Sequence, residues 1–127
     1  MPLTLDDNNA DFQIRGFQPG TFKVRHDNTD QTYTHSIIIT PNQIITDWPP
    51  QTLAELTAAH LQKIRELKPN ILIIGTGAKL VFPELAVYGD LINQGIGVEI
   101  MDTSAACRTY NALKAENRIV AAALIVN

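Results

Sequence analysis

A single cysteine in 127 residues, Cys107, excludes an internal disulfide and a cysteine-built zinc site, and it fits a reducing compartment. Positive charge is not in excess. Ten Lys and Arg against 13 Asp and Glu give a net charge of −3, which leaves no electrostatic footprint for nucleic acid. Charged residues are scarce at 18%, below the usual quarter, while hydrophobic residues reach 45%, so the chain is not of the disordered kind. No long hydrophobic run occurs. The longest, residues 119–126, falls far short of the ~20 residues of a membrane span. Residues 1–7 (Met-Pro-Leu-Thr-Leu-Asp-Asp) show neither the basic and apolar regions of a signal peptide nor the Arg-rich pattern of a transit peptide. The expectation is one cytoplasmic domain over residues 1–127, with residues 1–11 poorly ordered. Internal repeats, low-complexity tracts and linkers are missing as well.

What is present divides into two halves. The first half reads as strands joined by hairpin turns: residues 12–17, 21–25, 31–40 and 43–46, separated by Gln18-Pro19-Gly20, Asp27-Asn28 and Pro41-Asn42. In the third run, alternation sets Tyr33, His35, Ile37 and Ile39 on one face. Beyond the Asp47-Trp48-Pro49-Pro50 loop the period changes. Leu53, Leu56, Ile64 and Leu67 follow helical spacing up to Pro69. Ile71 to Ile74 is a continuous apolar run, expected of a strand buried on both faces. A helix from Pro83 past Leu85, Tyr88, Leu91 and Ile92 to Gly95 then leads to a strand at residues 97–101. A helix capped by Thr103 or Ser104 and ending at Asn117 precedes a last strand at 119–126. The strand–helix–strand unit of residues 70–101 requires a parallel pair. The fold class is therefore α/β: a mixed sheet, helices packed on it, and an N-terminal antiparallel β extension.

Chemistry in such a sheet gathers beyond the strand C-termini. Two loops qualify, Gly75-Thr76-Gly77 and Asp102-Thr103-Ser104. The glycine pair fails both nucleotide patterns: position 80 is Leu80 rather than glycine, and Lys79 is not followed by Ser or Thr. In the helix after Met101, Ala106, Tyr110 and Leu113 share the core stripe. Ser104, Cys107, Arg108 and Asn111 share a polar face, where a helix N-terminus and Arg108 favour a thiolate and an anion. The candidate crevice is thus Gly75, Thr76, Gly77, Asp102, Thr103, Ser104, Cys107, Arg108 and Asn111. The three histidines are scattered, with His26 at a turn and His35 and His60 expected to be partly buried, so no metal site is called for. Glu99, inside a strand, must be exposed or paired with Arg108 or Arg118. Trp48, in its Pro-rich loop, either covers a sheet edge or serves as an exposed anchor for a partner.

Four stretches carry a family likeness: Ile73-Ile74-Gly75-Thr76-Gly77; residues 97–103 (Gly-Val-Glu-Ile-Met-Asp-Thr); residues 106–113 around Cys107-Arg108-Thr109-Tyr110-Asn111; and residues 116–124. Together they resemble a small family that includes the adipogenesis-associated domain protein and the mitochondrial third assembly factor of respiratory complex I. Asn117 stands where that family commonly has glycine. The resemblance implies three layers, with a central, partly parallel sheet of about five strands and an added β layer. It implies no catalytic reaction, catalytic residue or cofactor. Its mitochondrial member works with other proteins during complex I assembly.

Two functions follow as expectations. The first is a protein-interaction or assembly-factor-like module with a protein partner, exposing an apolar patch of several hundred Å², near Trp48 or the β extension. The alternative is a small-anion binder or enzyme built on the crevice with Cys107 and Arg108. No nucleophile–base pair or metal constellation is recognisable, and the oligomeric state is not set by the sequence.

Overall fold

The structure, a computed structural model, describes residues 11–127; the expected disorder of residues 1–11 therefore lies, for 1–10, outside the described residues. Strands β1 (Gln13–Gln18), β2 (Thr21–His26) and β3 (Thr29–Tyr33) form an antiparallel three-stranded sheet. Asp27 and Asn28 both take positive φ, 52° and 64°, as a two-residue hairpin of right-handed twist requires.

The larger sheet holds β4 (Ile37–Thr40), β5 (Gln43–Ile45), β6 (Ile71–Gly75), β7 (Gly97–Met101) and β8 (Val120–Leu124) in the order β5-β4-β8-β6-β7. β6 pairs in parallel with both β7 and β8, while β4 runs antiparallel to β8. The sheet is mixed and five-stranded, as expected. Helices α1 (Gln62–Leu67), α2 (Leu85–Asn93) and α3 (Thr103–Ala115) complete the fold.

Strands β6 and β8 are apolar at every position, and β4 at all but Thr40, because each face meets a separate core. Ile37, Ile39, Ile73, Ala122 and Leu124 face α3 and the small sheet. Ile38, Leu72, Ile74, Ala121, Ala123 and Ile125 face Trp48, Ile64 of α1 and Leu91 of α2. β7 is an edge strand, so Glu99 is exposed there at no desolvation cost. Arg118 pairs with Glu116 at 3.7 Å instead.

Two elements differ from the sequence pattern. Residues 31–40 are not one strand. The chain leaves the small sheet after Tyr33 and enters the large one at Ile37, and the buried Ser36 marks the crossing by accepting a bond from Val126 N at 2.9 Å. His35 is consequently exposed. The helix expected from Leu53 is also broken. Two 3-10 turns, Leu53–Glu55 and Ala58–Leu61, precede the short α1. The interruption is a capping box: Thr57 N donates to His60 Nδ1 at 3.0 Å, which restarts the helix.

Candidate functional site

The loops after β6 and β7 do lie side by side. Thr76 N donates to Met101 O, and Thr103 N donates to Gly77 O, both at 2.9 Å. They are also sewn together. The Thr103 hydroxyl accepts from Gly77 N at 2.7 Å and donates to Ile125 O at 2.8 Å. A Cβ on Gly75 would stand 2.9 Å from Thr103 Oγ1, and one on Gly77 (φ +104°) would stand 2.7 Å from the Asn127 carbonyl carbon. The glycines are thus required by close backbone approach and by a positive φ. Thr76 is turned into its own loop, donating to Lys79 O at 2.6 Å. The helix cap is Asp102, not Thr103 or Ser104, because Asp102 Oδ1 accepts from Ala105 N at 2.8 Å.

The face of α3 expected to be polar is divided. Ser104 and Arg108 are exposed and bond to each other at 3.0 Å. Cys107 instead belongs to the core, and Asn111 binds β1: its Oδ1 accepts from Ile14 N at 3.0 Å and its Nδ2 donates to Ile14 O at 2.8 Å. The physical reason is that α3 has two packed flanks, one on the large sheet and one on the free edge of β1, where Asn111 satisfies the backbone groups that an edge strand leaves open. The structure therefore brings together Gly75, Thr76, Gly77, Asp102 and Thr103, and directs Ser104 and Arg108, Cys107, and Asn111 to three different surroundings.

Burial pushes the Cys107 thiol up to about 12, against a smaller opposing pull from Arg108. Under native conditions the thiol is expected to resist iodoacetamide at pH 8, becoming labelled only after unfolding. The same shift sets a pH dependence. Because the folded state holds its proton more tightly than the unfolded state, this stabilisation is complete below pH 9 and is lost as pH rises towards 12. Cys107 should contribute a fall of about 1.4 kcal/mol per pH unit in that window, seen alone between pH 9 and 10; above pH 10 the Tyr110 hydroxyl, which burial also pushes up, adds a fall of its own, so Cys107→Ala should remove the slope below pH 10 and only part of it above. Urea titrations across the alkaline range check this.

Trp48, expected as an exposed anchor, is 4% exposed and therefore not available to a partner. It fills the second core, and its indole N–H donates to His60 O at 2.9 Å. The apolar surface lies elsewhere. Leu80, Val81, Phe82, Leu85 and Ile92 each leave 47–68% of their area in contact with solvent. Along the chain they make a strip: Leu80, Val81 and Phe82 lie in the loop after β6, and Leu85 and Ile92, seven positions apart, share one side of α2. Beside the strip, a groove of about 660 Å³ opens between Leu53, Thr57 and Ala58 on one wall and Phe82, Pro83 and Ala86 on the other. The sequence places Leu85, Tyr88, Leu91 and Ile92 on one helix without separating its buried side from its exposed one. The available signal was that α2, Leu-Ala-Val-Tyr-Gly-Asp-Leu-Ile-Asn, is apolar nearly all round.

The fold is that of a small three-layer α/β domain with a mixed central sheet and an antiparallel β layer. Residues 14–125 match the family described as Protein of unknown function (DUF498/DUF598), and the chain belongs to that family. It is 32% identical over 94 residues to the "13 kDa major membrane protein" of Francisella tularensis, covering 73% of this chain and 76% of that protein. It is 32% identical over 114 residues to the Danio rerio NADH dehydrogenase [ubiquinone] 1 alpha subcomplex assembly factor 3, covering 88% of this chain and 63% of that one. Across the assembly factors it matches, the chain spans 45–63% of their length. A crystal structure of a Bordetella parapertussis protein superposes with a TM-score of 0.81 at 34% identity, covering 99% of this chain and all of that one. Among the described residues, no helix is long and apolar enough to cross a membrane.

Proposed function

We propose that this chain is a protein-interaction module of the assembly-factor kind, docking through the strip of Leu80, Val81, Phe82, Leu85 and Ile92. The strip carries this reading: five large apolar side chains left exposed within residues 80–92 of a small domain mark a contact site. Relatives named as assembly factors support it. We place its work in the cytoplasm, a reading supported by one free, buried thiol. The strand-end loops offer less to a ligand, since Thr103 and Asn127 occupy the space beside Gly75 and Gly77.

The test is a photoreactive benzoylphenylalanine in place of Phe82, irradiated in living cells. Protein adducts are expected at position 82 and not with the same group in place of Ile119, which is also exposed but lies outside the strip. Equal, background-level labelling at both positions would refute the reading.

A further inference from the structure

We infer that the apolar strip is a two-fold contact between two copies of this chain, an inference that rests on the interaction reading above and names its partner. A surface helix normally keeps charge on its outer side. α2 keeps one charge there, Asp90: Val87, Tyr88 and Leu91 are turned inward, and the exposed side also carries the large apolar Leu85 and Ile92, with Gly89 between them. Covering that apolar pair is what an otherwise ordinary amphipathic pattern would have achieved within the chain, and here it is left to another surface.

Two features select a second copy. The first is area. From their exposures, the five strip residues present roughly 500 Å² of apolar surface, close to the apolar share of one side of a standard interface of ~800 Å². The second is shape. A groove of about 660 Å³ is walled by Val81 and Phe82 of the strip and by Ala86 and Val87 of the helix that carries the ridge Leu85 to Ile92, so a two-fold axis can seat each ridge against the other copy's groove and close the assembly. Gly89 lies at the middle of the ridge, where the absence of a side chain lets two antiparallel helices approach. A lipid surface fits less well, because interfacial helices are rich in Lys and Arg and α2 has neither.

Sedimentation equilibrium of the purified chain tests this. A dimer is expected at about 100 µM, with Phe82→Asp and Leu85→Asp each raising the dimer Kd more than about tenfold and Ile119→Asp leaving it unchanged. All three sites are exposed, so circular dichroism of each variant should match the parent and show that the fold is kept. If one strip variant misfolds, the other decides. A monomer at that concentration, or a dimer indifferent to the strip variants, overturns the inference. So does flotation of the chain with neutral phosphatidylcholine vesicles that Phe82→Asp abolishes, which would assign the strip to lipid. A monomer whose position 82 still crosslinks to a different protein in cells overturns self-pairing while leaving the interaction reading intact. Loss of both the dimer and the crosslink removes the two together.

Discussion

Tyr110→Ala is expected to lower the unfolding free energy by about 3–5 kcal/mol, a large part of the margin of an ordinary domain. The ring is fully buried between α3, the small sheet and the large one. Its hydroxyl donates to Phe12 O at 2.8 Å, and Phe12 N in turn donates to Pro41 O at 3.0 Å. One side chain thus joins the last helix to the start of β1 and to the β4–β5 turn. Truncation leaves a cavity and an unpaired carbonyl together. Tyr110→Phe separates the two effects: it keeps the packing, leaves the Phe12 carbonyl unpaired, and should cost about 1–3 kcal/mol. Urea unfolding with an unchanged m-value measures both. A loss under about 1 kcal/mol for the alanine variant would show that the ring does not hold these layers together.

Thr103→Val should cost about 2–4 kcal/mol, although the replacement has nearly the same shape. Valine cannot accept from Gly77 N or donate to Ile125 O, and both partners lie in the buried seam between the β6 loop, the start of α3 and the end of β8. Two buried polar groups would lose their partner at once. Thr103→Ser keeps the hydroxyl and gives up one buried methyl, so about 1 kcal/mol is expected. Amide exchange at Gly77 should accelerate in the valine variant and stay slow in the serine one. Equal stability of the two would show that the hydroxyl's bonds are not what holds the seam.

How far the sequence could be read depends on how local each cause is. The run Ile71–Ile74 and the β6–α2–β7 crossover were legible because a strand with two cores is apolar at every position. The left-handed end at Asn117 (φ 61°) was legible from residue type. The division of residues 31–40 was not. Its cause is Ser36 meeting Val126, 90 positions away, while the intervening alternation looks like continuous strand. The same distance hid the second packed flank of α3. Asn111 and Cys107 seem to lie on an open polar face until β1, 97 positions earlier, is laid against it. Trp48 sits in a loop rich in proline, and only the folded chain brings His60 O to its indole. The side-by-side loops after Gly75 and Met101 were legible from topology; that Thr103 fills the space between them depends on contacts no motif encodes.

The strand order β5-β4-β8-β6-β7 has a further consequence for synthesis. β8 stands between β4 and β6, yet it is made last, so the two earlier strands have no common neighbour while the ribosome is still adding residues before Val120. Their edges are exposed during that interval, and the sheet closes only when the final segment clears the exit tunnel and inserts. Chains stalled before that point should be substrates for chaperones or proteases rather than partly working domains.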